Sequence, residues 1–195
     1  MIKALIFDCF GVIVGKGFTQ TYSGAGGDPV KDRAFIKDIL AQANLGLITD
    51  AEFNAAISDR LKIDSASWQA AVTRAEMPDK QLLKLIEDLR TDYKTAVLSN
   101  SNKGVLERKI GRDWLDKCFD EVVASAEVGL VKPDPKIYQL TASRLGVRTD
   151  ECIFVDDISS FLESAQTLGM KTIRYFDFQS FKIQLDVLLG DNPEI

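Results

Sequence analysis

Ile2-Lys3-Ala4-Leu5-Ile6-Phe7-Asp8-Cys9-Phe10-Gly11-Val12-Ile13 is the stretch on which the fold turns. Ile2 to Phe7 is short and nearly continuously apolar, the pattern of a strand buried on both faces of a parallel sheet. It stops at an acid, and Gly11 permits a sharp turn just beyond. The same pattern recurs downstream. Thr95–Leu98 ends at Ser99, Cys152–Val155 ends at Asp156, and Lys171–Tyr175 follows Gly169, which reads as a helix stop. Helical periodicity fills the intervals at Lys80–Leu89, at Lys136–Leu145 closed by Gly146, and at Phe161–Leu168 closed by Gly169. Four strands alternating with helices predict an α/β fold built on a doubly wound parallel sheet.

One interval is too long for a single crossover. Between Gly15 and Pro78 the periodic parts are helical, clearest at Asp32–Asn44 and Asp50–Leu61, the second opened by a capping box at Thr49-Asp50-Ala51-Glu52. The chain therefore divides into an α/β core, residues 1–14 and 79–195, and an inserted helical subdomain, residues 15–78. Ser23-Gly24-Ala25-Gly26-Gly27, ahead of the first of these helices, reads as a hinge or loop, because it does not directly follow a strand as a phosphate cradle would.

In open α/β sheets, ligands sit beyond the carboxyl ends of the strands, where this chain carries Asp8, Ser99 and Asp156. A carboxylate at a strand tip can attack phosphorus or carbon and form a covalent intermediate. Ser99 and Asn100 supply a hydroxyl and a carboxamide that can hold an anionic oxygen or, equally well, cap a following helix. Lys132, within Gly129-Leu130-Val131-Lys132-Pro133-Asp134-Pro135, is a cation held between turn-forming residues, suited to offset the charge of a nucleophilic carboxylate beside a phosphate. Asp156 and Asp157 are adjacent acids at a strand end. They repel unless a cation stands between them, which makes Mg²⁺ their natural partner.

Composition narrows the function classes. The 195 residues are 46% apolar, enough to fill a core, and carry a net charge of −5, with no cluster of cations and aromatics to meet a nucleic acid. A small metabolite is the expected partner. No apolar run is long enough for a membrane span and no signal peptide is evident, so a cytoplasmic location is expected. Cys9, Cys118 and Cys152 match no metal-ligand spacing and read as reduced, buried thiols; histidine, the commonest general base, is absent.

Taken together, the four segments resemble the haloacid dehalogenase superfamily, in the branch whose small helical cap follows the first motif. The resemblance implies a Rossmann-like core, with Asp8 as nucleophile and metal ligand. Ser99, Asn100 and Lys132 would hold the transferred group, and the metal would rest on Asp8, the Phe10 backbone carbonyl, Asp156 and Asp157. It implies a Mg²⁺-dependent phosphatase acting on a small phosphorylated metabolite through an aspartyl-phosphate. Two positions depart from that pattern. Phosphatases of this family carry a second Asp two residues after the nucleophile, where this chain has Phe10, and often Asn, Asp or Gly where it has Phe161. Phe10 cannot transfer a proton, and it resembles the 2-haloacid dehalogenases, whose halide leaving group needs none. Three readings follow: a phosphatase, favoured by the paired acids; a dehalogenase; and a catalytically weak relative that binds a phosphorylated ligand. Lys16, Phe18, Arg33 and Trp68 are candidates for substrate contact from the cap.

Overall fold

The computed structural model describes residues 1–15 and 18–190 of the chain. Lys16, a candidate substrate contact, lies outside them. Five parallel strands form one sheet: β1 (Ala4–Phe7), β2 (Lys94–Ser99), β3 (Glu121–Ala124), β4 (Cys152–Asp156) and β5 (Lys171–Arg174), in the order β3-β2-β1-β4-β5. β1 is central. Phe7 is in register with Val97 on one side and Val155 on the other, so the residues after β1, β2 and β4 emerge side by side at the same edge of the sheet.

The helices are α1 (Phe18–Gly24), α2 (Arg33–Asn44), α3 (Asp50–Leu61), α4 (Ser65–Ala75), α5 (Lys80–Leu89), α6 (Val105–Ile110), α7 (Arg112–Cys118), α8 (Ser125–Val128), α9 (Pro135–Arg144), α10 (Ser159–Thr167) and α11 (Phe178–Leu189). The strand period of two sorts the sheet's side chains into two cores. Leu5, Phe7, Val97 and Val155 face α5, α6, α7 and α11. Ala4, Ile6, Leu98 and Phe154 face α9 and α10. The result is three layers, with the tips of β1, β2 and β4 followed by loop.

A third cluster lies within α1 to α4, where Tyr22, Ile39, Ile57 and Trp68 are buried among Phe18, Phe35 and Phe53. The expected capping box forms: Thr49 Oγ1 accepts the Glu52 N–H at 3.2 Å, and the Glu52 carboxylate accepts the Thr49 N–H at 2.7 Å. The chain enters and leaves this helical segment through paired backbone. Gly15 N–H donates to Met77 O at 3.2 Å, Asp79 N–H donates to Ile13 O at 2.8 Å, and Val14 bridges Pro78 antiparallel.

Several elements differ from the sequence expectation. β3 was not expected, and an additional helix, α1, precedes the Gly-rich stretch, so Ser23–Gly27 closes a helix. Gly27 is needed there for contact, since a Cβ at that position would sit 2.2 Å from the Tyr22 ring. Ser99 and Asn100 do not cap a helix: α6 begins at Val105 with Gly104 as its N-cap.

Candidate active site at the strand tips

Asp8 leaves the end of β1 with its N–H donated to Val155 O of β4 at 2.8 Å, which fixes where its side chain starts. The chain then turns tightly. Cys9 O accepts the N–H groups of Ile13 and Val14 at 2.9 Å each, and Gly11, at φ +91°, donates to Val14 O at 2.9 Å. A side chain is excluded at Gly11 on two grounds. Its φ is in the left-handed region, and a Cβ there would stand 2.6 Å from Asp157 Oδ2. The glycine therefore lets the Asp157 carboxylate close onto the loop that carries Asp8 and Phe10.

Lys132 arrives from the segment before α9, and its ammonium donates to Asp8 Oδ1 and Asp156 Oδ2, each at 2.6 Å. Its side chain is 1% exposed, against 7% for Asp8 and 0% for Asp156. Two aromatic rings complete its surroundings, Phe154 at 5.3 Å and Phe161 at 4.9 Å from the nitrogen to the ring centroid. Phe161, the departure noted at the fourth motif, thus covers the ammonium with a ring face. Asp156 is further held by the Ile158 N–H, which donates to its Oδ1 at 2.8 Å.

Burial pushes the Asp8 carboxyl up to about 7, against the pull of Lys132 and with help from the neighbouring Asp156. Burial works the other way on Lys132, yet the two carboxylates hold its ammonium above the ordinary lysine value. Asp8, Asp156 and Asp157 each offer a carboxylate oxygen, and these oxygens lie within 4.8 Å of one another. Three carboxylates gathered this closely, two of them bonded to one ammonium, form a largely buried anionic cluster of hard oxygen donors that fits one divalent cation such as Mg²⁺.

Asn100 lines the cavity over Asp8, with its carboxamide engaged by the Lys132 backbone. Its Nδ2 donates to Lys132 O at 2.9 Å and its Oδ1 accepts the Lys132 N–H at 2.8 Å, so the carboxamide clamps the lysine backbone. Ser99 is buried at the tip of β2, and its hydroxyl has no hydrogen-bond partner among the described residues. Sequence reasoning missed Ser101. It is also buried with an unpartnered hydroxyl, and unlike Ser99 it lines the cavity. Its only signal in the sequence was a position two residues past a strand end.

That cavity, about 750 Å³, opens over Asp8, Phe10 and Lys132 and is closed on the far side by α1 to α4. Phe18 and Trp68 are on its wall; Arg33 is exposed and not part of it. The three cysteines are free and buried, and burial pushes the Cys9 thiol well above its ordinary value. No helix among the described residues is long and apolar enough to cross a membrane.

Residues 2–169 match the family model described as hydrolase, haloacid dehalogenase-like hydrolase. The D-ribitol-5-phosphate phosphatase of Bacteroides thetaiotaomicron is 27% identical, over 97% of this chain and 100% of that protein. The (S)-2-haloacid dehalogenase 4A of Burkholderia cepacia is 35% identical, over 60% of this chain and 51% of that one. The chain spans 19% to 51% of the length of the first curated relatives it matches. Among solved structures, a HAD family enzyme of B. thetaiotaomicron in complex with magnesium and inorganic phosphate superposes with a TM-score of 0.69. It is 23% identical, covering 90% of this chain and 95% of that one.

Proposed function

The chain belongs to the haloacid dehalogenase-like hydrolases, and from that premise we propose that it is a Mg²⁺-dependent phosphatase of small phosphorylated molecules, with Asp8 as nucleophile. The observation that carries this reading is the buried cluster of Asp8, Asp156 and Asp157 with Lys132 bridging the first two. Three carboxylates this close together suit a dication, which displacement of halide from carbon does not need.

Lys132 holds Asp8 through Oδ1 and leaves the second carboxylate oxygen for in-line attack on phosphorus. The new bond joins that oxygen to phosphorus as the ester P–O bond breaks. Water then attacks the aspartyl-phosphate, releasing inorganic phosphate and restoring the carboxylate. The hydroxyl of Ser101, which lines the cavity, donates to a phosphoryl oxygen, and Lys132 offsets charge on the transferring group. Asn100 acts through the lysine, fixing the backbone from which the ammonium reaches both carboxylates. Asp156 is held by Lys132 and the Ile158 N–H, and Asp157 is closed over Gly11; with Asp8 and the Phe10 carbonyl these acids would hold the metal. Bound there, Mg²⁺ supplies Lewis-acid stabilisation of phosphoryl charge. The helical segment, residues 15–78, serves as the cap that walls the cavity.

The test is release of 4-nitrophenol from 4-nitrophenyl phosphate. It is expected to require Mg²⁺, to stop with a chelator, and to vanish in Asp8→Asn. Phe10, which carries no proton, supports a second reading as a 2-haloacid dehalogenase. Halide release from a 2-haloacid that persists in the chelator, with no phosphatase activity, would establish that reading and overturn the first.

A further inference from the structure

Three features of the cavity restrict what a phosphate ester bound at Asp8 can carry. The first is its wall. Phe10, Phe18, Phe53, Trp68, Val72 and Phe161 all line it, and the rings of Phe18, Phe53 and Trp68 form a cluster, with Phe18 5.8 Å from Phe53 and 6.2 Å from Trp68 between centroids. A cavity of about 750 Å³ is far larger than a phosphate and leaves room for a ring system beside it.

The second is its charge. Away from the Asp8 cluster, the cations on the wall among the described residues are already matched by acids on the same wall. Lys109 meets Glu76 at 2.6 Å and Arg108 meets Asp50 at 2.8 Å. Two of the wall's carboxamides are committed too. Asn102 donates to Ile48 O and accepts from the Lys103 N–H, and Asn54 donates to Asp50 O and accepts from the Trp68 indole. Gln69 and Thr73 are polar, but both are solvent-exposed. Among these groups no cation is left over for a second anion on the substrate.

The third is the proton inventory. Phe10 can neither protonate a leaving oxygen nor take a proton from water, and Lys132 is fixed between two carboxylates. Of the other acids on the wall, Asp50 and Glu76 are paired with Arg108 and Lys109, so the site suits a leaving group that is stable as an anion.

We propose that the substrate is an aryl phosphate monoester with an uncharged body, bound with its ring among Phe10, Phe18, Phe53 and Trp68; this rests on the phosphatase reading above. In the first step the Asp8 oxygen bonds to phosphorus, the aryl P–O bond breaks, and its electron pair leaves as a phenoxide that collects its proton from solvent. In the second, a water oxygen bonds to phosphorus, the bond to Asp8 breaks, and the water proton goes to solvent. Without a base the second step is the slower, so release of the phenol shows a burst of about one equivalent per enzyme.

Two measurements test this. In the first, kcat/KM with Mg²⁺ is compared for 4-nitrophenyl, phenyl and butyl phosphate. The wild type is expected to fall steeply along that series, and Phe10→Asp to raise the butyl ester by about 10²–10⁴-fold and the nitrophenyl ester by less than tenfold. In the second, binding of phenylphosphonate, methylphosphonate and phosphonoacetate, none of which is hydrolysed, is measured by calorimetry with Mg²⁺. Phenylphosphonate is expected to bind at least tenfold more tightly than the others, with Phe53→Ala removing most of the difference. Mg²⁺- and Asp8-dependent turnover that ignores the leaving group, or tightest binding of phosphonoacetate, overturns the aryl assignment alone. Absence of Mg²⁺- and Asp8-dependent turnover with every ester overturns the phosphatase reading and this one with it.

Discussion

Lys132 is bonded to both Asp8 and Asp156 at the strand tips, and replacing it with Met isolates what that charge does. Met has similar length and a polarisable thioether, so it can occupy the space against Phe154 and Phe161 without opening a cavity. What it cannot do is answer Asp8 and Asp156, whose side chains are 7% and 0% exposed. Breaking a buried ion pair by removing one partner costs about 3–5 kcal/mol. For a chain of this length that corresponds to a fall in melting temperature of roughly 6–20 °C. Asp8→Asn is the informative companion. It removes one negative charge from the cluster, keeps the Lys132–Asp156 contact at 2.6 Å, and relieves a group whose ionised form burial already penalises, so its cost stays within about 1 kcal/mol. The Lys132→Met deficit is also relieved as pH falls. A carboxyl whose folded value lies above its unfolded value binds its proton more tightly when folded, and so destabilises the protein only as pH rises through that range. Urea denaturation followed by circular dichroism at several pH values, in chelator, measures all three. The reasoning is refuted if Lys132→Met is within 1 kcal/mol of wild type, or if Asp8→Asn costs as much as Lys132→Met.

Gly11→Ala places a Cβ 2.6 Å from Asp157 Oδ2 at φ +91°, and is expected to cost about 1–2 kcal/mol in stability and to weaken Mg²⁺ binding roughly 10–100-fold. Calorimetric titration of Mg²⁺ checks this, and an unchanged affinity would separate Asp157 from the metal. Far from the site, Asp120 accepts the Thr95 N–H at 2.9 Å and faces Arg90 and Lys94 at 3.4 Å. Although burial acts to raise its carboxyl, these contacts hold it below the ordinary aspartate value. Its stabilisation is present above an unfolded value of about 3.9 and is lost as pH falls through the folded one. Asp120→Asn should therefore destabilise by about 1 kcal/mol at neutral pH and by much less at pH 3, measured by thermal melts.

The parts of the fold that could be read from the sequence were those with an unbroken local signal. β1, β2 and β4 are buried on both faces, so their apolar runs stand out, and α3 announces itself through Thr49 and Glu52. β3 has only Glu121–Ala124, an edge strand with two half-buried residues, too short for periodicity to register. α6, α7 and α8 run from four to seven residues and are set by packing against the sheet. At the site, Asp8, Lys132, Asp156 and Asp157 were marked by residue type at strand tips and turns; the register of β1 and β4 brings the acids together, and Lys132 reaches them from the segment before α9. The partners of Asn100 could not be read the same way, because they lie 32 residues away and depend on how the Lys132 loop folds back. The same holds for the ring face that Phe161 turns toward Lys132 and for the ion pairs on the cavity wall.

The paired backbone at Ile13–Gly15 and Met77–Asp79 has a bearing on how such a molecule can diversify. Because both ends of the helical segment are stitched to each other at one neck, the intervening chain forms a cassette. Its exchange for another of different length need not shift the register of any strand. Recognition can then drift under selection for new compounds while the chemistry stays untouched, and a chimera that preserves those six neck residues is the natural unit for re-targeting the enzyme.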